Sequence, residues 1–144
     1  MPNKILTYLL CLLLAAACRE PSSVEQFIAA PGPYEFQVEM RDTTVLYAFS
    51  FYTRLDGYPS ELQEAQELPL RITWISPSGK TYTENVYMPL TGRSSLFSRQ
   101  VLQPYRANVQ PVQPGLWTLM VTVPYSDGRE ILRGLGLTVS QHYE

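Results

Sequence analysis

The sequence predicts an all-β protein, an antiparallel β-sandwich of about six to eight strands. Through most of the chain, apolar residues recur at every second position, which gives each segment one face suited to a core. Turn-forming residues separate these segments, and stretches with a helical period are almost absent. Many short strands with few helices between them are typical of two packed antiparallel sheets.

The first two predicted strands follow Pro31-Gly32-Pro33. The apolar side chains of the first strand are Tyr34, Phe36, Val38 and Met40, and they alternate with charged or polar residues. Asp42 and Thr43 interrupt the pattern, and the second strand continues with Val45, Tyr47, Phe49 and Phe51. The opposite face of this second strand, from Leu46 to Arg54, is less polar than a solvated face. We therefore expect the second strand to be central in its sheet or partly covered on both faces.

A hairpin is predicted over residues 68–88. Its first strand has the apolar row Leu68, Leu70, Ile72 and Trp74. Ser76-Pro77-Ser78-Gly79 follows, with proline second and glycine fourth, as a type I turn prefers. The return strand, residues 80–88, is rich in threonine and tyrosine, which favour strands.

Two segments depart from the period of two. Residues 60–67 have a serine cap with Gln63 three positions later, which is compatible with a short acidic helix or with a loop. Residues 103–115 contain three prolines and a glycine, and they are predicted to form an extended, partly polyproline-like connection. One or two weak strands are predicted near residues 97–102 and 105–109.

The C-terminal part predicts a second hairpin. Ser126-Asp127-Gly128 separates two apolar rows, and Asp-Gly in such a position is a strong hairpin signal. The rows are Trp117, Leu119, Val121, Val123 and Tyr125, then Ile131, Leu135, Leu137 and Val139. Gly134 and Gly136 lie on the face opposite Leu135, which predicts either a bend or close approach of another group to the backbone.

The N-terminus is typical of a secretory signal. Lys4 precedes a mostly apolar run that ends at Ala17, which is too short for a spanning helix. Ala15-Ala16-Ala17-Cys18 resembles the lipobox of bacterial lipoproteins. The resemblance implies cleavage before Cys18 and acylation of Cys18 with fatty acids such as palmitate. An uncleaved anchor and a plain secretory signal are the alternatives. The predicted organisation is a signal peptide at residues 1–17, the lipidated Cys18 with a flexible tether at 18–30, and the sandwich at 31–144.

Composition argues against several classes of function. Without residues 1–17 the chain has 10 basic and 13 acidic residues, so nothing predicts binding to nucleic acid. With Cys11 in the signal and Cys18 acylated, no thiol remains for a disulfide or a zinc site, and the only histidine is His142 near the C-terminus. No nucleophile has a histidine base in an evident motif. We expect no metal, no cofactor and no catalytic residue.

Exposed aromatic residues are the remaining candidates for binding. Tyr52, Tyr58, Tyr82 and Tyr87 fall on a less regular strand face or beside turns. Exposed aromatic side chains can stack on sugars or form hot spots in protein interfaces, although tyrosine is also simply a good strand residue. Arg54, Tyr58, Tyr82 and Tyr87 are the predicted partner-binding residues.

The order of several motifs resembles the GldH family of gliding-motility lipoproteins of Bacteroidetes. The similar stretches are Asp42-Thr43-Thr44, the run from Thr53 to Leu62 with Tyr58-Pro59, Ser76-Pro77-Ser78-Gly79, Met88-Pro89-Leu90-Thr91-Gly92, residues 114–119 and residues 131–139. The resemblance implies a cell-envelope lipoprotein of the motility or secretion machinery that acts by contact.

The predicted function is therefore a non-enzymatic lipoprotein held by its N-terminal lipid on the periplasmic side of the outer membrane, where it binds other envelope proteins. The alternative is a glycan-binding sandwich on a lipoprotein. An enzyme is the third hypothesis, and it would need a site that the sequence does not show.

Overall fold

The computed structural model describes residues 3–5, 7–8, 23–29, 31–124 and 129–143. Within those residues, no helix is both long enough and apolar enough to cross a membrane. The predicted cleavage site and Cys18 lie outside the described residues.

The described chain forms two antiparallel sheets, which confirms the predicted sandwich. A five-stranded sheet has the order β1-β9-β3-β7-β6, and a four-stranded sheet has the order β2-β8-β4-β5. The strands are β1 Ser23–Ile28, β2 Tyr34–Met40, β3 Val45–Asp56, β4 Glu67–Ile75, β5 Thr81–Pro89, β6 Gly92–Ser94, β7 Ser98–Val109, β8 Gly115–Thr122 and β9 Leu135–Tyr143. In the sandwich domain the described helical elements are α1, Pro59–Glu64, and a short 3-10 turn, Arg129–Ile131.

The core lies between the sheets and is built from alternate residues of each strand. In β2 every second side chain is buried, and the same alternation runs through β3 and β8. Burial of one large apolar side chain contributes about 1.5–3 kcal/mol. The largest fully buried side chains include Phe36, Tyr47, Phe49, Leu119 and Leu137.

Strand β3 is central, as predicted, because it pairs with β7 on one side and β9 on the other. Its outer face is half-buried rather than solvated. The Tyr52 ring on that face lies against Gly136 of β9, and a Cβ at position 136 would overlap the ring. Phe27 of β1 stacks on the same ring, with 5.8 Å between ring centroids. The predicted close approach to Gly136 is thus confirmed.

The predicted hairpin of β4 and β5 is also confirmed. The two strands pair from Ile75 and Thr81 to Glu67 and Pro89. The turn is closed by the Gly79 amide, which donates to the Ser76 carbonyl over 2.9 Å. Gly79 has a φ of 90°, a conformation that favours glycine over residues with a side chain.

The second predicted hairpin is wrong. Strand β8 pairs with β2 and β4 in the four-stranded sheet, whereas β9 pairs with β1 and β3 in the other sheet. The predicted turn, Ser126-Asp127-Gly128, lies outside the described residues. Asp-Gly permits a tight turn, but both edges of β8 are already occupied by other strands, so β9 has no edge of β8 to pair with.

Residues 103–109 are not a connection but the second half of strand β7. The two weak strands predicted at 97–102 and 105–109 are one strand that pairs with β3. Pro104 has no amide N–H to donate, but β6 pairs with β7 only at residues 99–101, so among the described residues no strand pairs with that edge at position 104. The pairing with β3 also shifts register next to Ser50, the partner of Pro104.

For residues 60–67 the helical alternative is confirmed in part. Helix α1 begins at Pro59 rather than at the predicted serine cap. The Tyr58 amide donates to the Glu61 carboxylate over 3.0 Å, which satisfies one amide at the helix start. Leu62 is the buried side chain of the helix.

The sandwich includes Ser23–Ile28, which lie before the boundary predicted at Pro31. Strand β1 pairs with β9 from Ser23 and Ser140 to Ile28 and Leu135. The segment from Ser23 to Ile28 is therefore a sheet edge and not a tether. The pattern was too short to reveal a strand, and the contact of Phe27 with Tyr52 depends on the tertiary fold.

Candidate functional site

An aromatic cleft of about 240 Å³ opens at one end of the sandwich. It is lined by Met40, Phe49, Trp74, Tyr82, Arg106, Val109, Gln110, Pro111, Val112 and Trp117. We call this site the aromatic cleft. It lies where β2, β4 and β7 end and where β5 and β8 begin. The two sheets contribute opposite walls, and the connection between β7 and β8 forms part of the rim.

Four aromatic rings form one connected group in this cleft. The ring of Trp74 meets Phe49 edge-on at 5.1 Å between centroids and Trp117 edge-on at 6.3 Å. Tyr82 inclines toward Trp117, at 6.3 Å and an interplanar angle of 31°. Trp117 is fixed further by its indole Nε1, which donates to the Gln113 carbonyl over 2.8 Å. Phe49 and Trp117 are buried, so the aromatic surface that the cleft presents is mainly that of Tyr82 and the half-buried Trp74, supported from below by the other two rings.

A polar network beside the cleft fixes the orientation of Trp74. The Trp74 indole Nε1 donates to the Tyr105 hydroxyl over 3.3 Å. The Tyr105 hydroxyl donates to the Glu84 carboxylate, which also forms an ion pair with Arg106. Burial, reinforced by the hydrogen bond to Glu84, raises the pKa of Tyr105 to about 12. The Tyr105 phenol therefore stays protonated near neutral pH, so that it can accept from Trp74 and donate to Glu84 at the same time.

Arg106 and Gln110 add polar groups to an otherwise apolar wall. A few polar groups on an apolar, aromatic surface are typical of small-ligand sites, in which the polar groups fix the ligand's orientation. The faces of aromatic rings carry negative charge density that attracts polarised C–H groups. A sugar ring offers C–H groups on its faces and hydroxyls on its edge, so the cleft has groups suited to both.

The four predicted site residues do not form one site. Tyr82 lines the aromatic cleft and is 41% exposed. Tyr87 lies on the same strand and is 71% exposed, but it borders a separate groove between β5 and β7. Arg54 and Tyr58 lie at the other end of the sandwich. Tyr52, also expected to be exposed, is half-buried against Gly136.

Sequence reasoning missed the most important residues of the cleft. Trp74 and Trp117 fitted the apolar rows of their strands, so nothing distinguished them from ordinary core residues. Their proximity depends on the register in which Trp74 pairs with Tyr82 on one side and Leu119 on the other. Arg106 lay in the segment assigned to a connection. Within the described residues, no three His, Cys, Asp or Glu side chains are grouped so that they could hold a metal ion.

The opposite end of the sandwich has a second exposed surface, which we call the distal patch: Arg54, Asp56, Tyr58, Phe97 and Arg133. The Asp56 carboxylate lies 2.8 Å from Arg54 Nε and 3.4 Å from Arg133 Nε. Tyr58 and Phe97 meet edge-on at 6.5 Å, and 70% and 54% of their surfaces are exposed. This end therefore combines aromatic surface with two guanidinium groups.

No protein-family model matches the chain, and no curated protein sequence matches it. Among solved structures, the chain is similar to a protein of Sulfurospirillum deleyianum, with 12% identity and a TM-score of 0.43 over 87% of this chain and 100% of the other. It is also similar to the module TmCBM61 in complex with β-1,4-galactotriose, with 14% identity and a TM-score of 0.35 over 85% and 70% of the two chains.

A third similarity is to the enzymatically active domain of tailspike protein 4 of bacteriophage CBA120. The identity is 10% and the TM-score 0.33, over 85% of this chain and 15% of that one. TM-scores of this size carry neither a ligand nor an activity from one protein to another. The fold class of the present chain, an antiparallel sandwich, therefore stands on its own strand pairing.

Proposed function

We propose that this protein is a non-enzymatic, lipid-anchored protein of the cell envelope whose sandwich binds carbohydrate in the aromatic cleft. The observation that supports carbohydrate binding is the grouping of Trp74, Tyr82 and Trp117 in one open cleft with Arg106 on its wall. Anchoring at Cys18 on the periplasmic side of the outer membrane is the cellular setting that the N-terminal sequence favours. Two acyl chains on one protein give stable membrane attachment.

The rigidity of the cleft supports binding. Trp74 is held by Tyr105, and Trp117 is held by the Gln113 carbonyl. Because these rings are already ordered in the free protein, a ligand that stacks on them does not have to immobilise them. Tyr82 is the most exposed of the three, so it is the ring that a ligand can reach with the least rearrangement.

The test compares two tyrosines of one strand. The lipoprotein in detergent is screened on a glycan array, and the affinity of a recognised oligosaccharide is then measured by calorimetry. We expect Tyr82→Ala to weaken binding about tenfold, since one aromatic contact contributes on the order of 1.4 kcal/mol. Tyr87→Ala is the matched control and should bind like the wild type. An array without signal, or equal losses in the two variants, would contradict carbohydrate binding in the cleft.

A second candidate function is contact with an envelope protein through the distal patch. Tyrosine and arginine are enriched in interface hot spots, and Tyr58 is largely exposed beside Arg54 and Arg133. A role in motility or secretion machinery would be of this kind. Crosslinking in membranes followed by affinity purification should recover a specific protein with the wild type and Tyr87→Ala, but not with Arg54→Ala/Tyr58→Ala. Recovery of the same proteins with all three would argue against this function.

A further inference from the structure

The aromatic cleft lies at the end of the sandwich from which the chain leads back to Cys18. Ser23, the first residue of β1, pairs with Ser140, which in turn pairs with Ala48 near the start of β3. Val109, a residue of the cleft, pairs with Tyr47. The beginning of β1 and this wall of the cleft are therefore only one residue apart along β3, so both lie at the same end of the sandwich.

The distal patch lies at the far end of the same strand. Asp56, the last residue of β3, is eight positions beyond Ala48. At about 3.3 Å per residue, this places the patch roughly 26 Å farther from the start of β1. Helix α1, which follows Asp56 and Tyr58, is at this distal end as well.

The chain between Cys18 and Ser23 is too short to span that distance. Five residue steps reach at most about 18 Å when fully extended. If the acyl chains on Cys18 are in the bilayer, the sandwich cannot stand upright on its distal end, because the start of β1 would then be about 26 Å above the membrane. The tether therefore allows the cleft end to face the membrane and excludes the inverted orientation, in which the distal patch faces it.

Exposed apolar side chains and one lysine lie around the cleft. Val112, at the tip of the connection between β7 and β8, is 83% exposed, and Leu116 is 49% exposed. The Lys80 ammonium lies 5.4 Å from the centre of the Tyr82 ring. Apolar side chains that enter the lipid interface next to a cation are typical of surfaces that lie on membranes. At the distal end, by contrast, Arg54 and Arg133 are both paired with Asp56. Glu61, Glu64 and Glu67 add negative charge near that end.

From this geometry we infer that the sandwich stands with its aromatic cleft toward the bilayer that holds Cys18, and that the ligand of the cleft is the carbohydrate headgroup of a glycolipid in the same leaflet. The ligand class rests on the proposed function, because it requires that the cleft bind sugar. The orientation does not, since it depends on the anchor at Cys18, the length of the tether and the position of β1.

Orientation is tested with one label at each end. Because Cys18 is blocked by acylation, Val112→Cys or Ser60→Cys in α1 introduces the only reactive thiol of the mature lipoprotein. Each variant is labelled with a fluorophore and reconstituted in vesicles of phosphatidylethanolamine and phosphatidylglycerol that contain a brominated lipid quencher. We expect several-fold stronger quenching of the label at position 112. Equal quenching, or stronger quenching at position 60, would overturn the orientation.

The ligand class is tested on vesicles of the same composition with and without glycosyl diacylglycerols that have glucose, galactose or mannose headgroups. One of these headgroups should change the tryptophan fluorescence of the wild type and of Tyr87→Ala, but not of Tyr82→Ala. If soluble oligosaccharides bind the cleft but no glycolipid does, the glycolipid inference fails and the proposed function stands. If neither soluble nor lipid-linked sugars bind, both fail, and the quenching experiment still decides the orientation.

Discussion

Trp74 and Tyr105 are joined by a hydrogen bond that connects the two sheets of the sandwich. The indole Nε1 of Trp74, on β4, donates to the hydroxyl of Tyr105, on β7, over 3.3 Å. Tyr105 in turn donates to Glu84 on β5 and packs on Phe51 at 5.1 Å between centroids. One tyrosine thus fixes the ring on which the aromatic cleft is centred, and changes at this position should affect both stability and binding.

Tyr105→Phe should destabilise the fold by about 1–3 kcal/mol, because the Trp74 indole and the Glu84 carboxylate each lose a partner. The loss should be smaller at high pH. Since the pKa of Tyr105 is raised to about 12, its contribution is fully present below about pH 10, the pKa of an unfolded tyrosine, and is lost as pH rises through about 12. Urea unfolding near neutral pH and above about pH 10 measures the difference.

Tyr87→Phe is the control for that experiment, because Tyr87 is largely exposed. It should leave both the free energy of unfolding and its pH dependence close to those of the wild type. If Tyr105→Phe and wild type lose stability in parallel above about pH 10, the proton on Tyr105 does not stabilise the fold.

Gly136→Ala should destabilise the protein because the added methyl group overlaps the Tyr52 ring. Forcing extra volume into a packed site costs about 1–3 kcal/mol. The measurement is the free energy of unfolding in a double-mutant cycle with Tyr52→Ala. In the Tyr52→Ala background the alanine at position 136 should cost much less, since the ring that it meets is absent. Equal costs in the two backgrounds would show that the overlap is not the cause.

Arg99→Lys should loosen helix α1 and the segment before β6. The Arg99 guanidinium donates to the carbonyls of Leu62, Ala65 and Leu90 at 2.7, 2.9 and 3.0 Å. A lysine ammonium keeps the charge but not the planar fork, so it cannot reach three carbonyls in the same way. We expect a loss of roughly 1–3 kcal/mol and faster amide exchange in α1.

Arg93→Lys on β6 provides the comparison, since Arg93 is exposed on the short edge strand. Its stability should remain within about 0.5 kcal/mol of the wild type. A similar loss in both variants would mean that positive charge in this region, rather than the three hydrogen bonds of Arg99, stabilises α1.

Cys18→Ala should abolish lipid attachment, because the thiolate is the group that acylation requires. In cells that process lipoproteins, the wild type should incorporate labelled palmitate and fractionate with membranes. The variant should incorporate none and should no longer be held at the membrane by lipid. Continued labelling of Cys18→Ala would contradict the anchor, and the proposed orientation of the aromatic cleft would lose its basis.

Local sequence determined which face of most strands is buried. The rows of β2, β3, β4 and β8 could be predicted because a strand that buries one face must alternate apolar and polar residues. The turn of β4 and β5 could be predicted because the type I turn itself favours proline and glycine at fixed positions. The close approach at Gly136 was one of two alternatives that the sequence predicted, since a glycine inside a strand leaves space for another group.

Apart from the β4–β5 hairpin, only the tertiary structure decided which strand pairs with which. An apolar row can bury its face in either sheet, so the rows of β8 and β9 could not show that they belong to different sheets despite the Asp-Gly between them. Pro104 can lie within a strand because, in the part of the chain that the structure describes, no strand pairs with the neighbouring edge at that point. The aromatic cleft follows from the same choices: Trp74, Tyr82 and Trp117 come from three strands, and only the strand order and register bring their rings together.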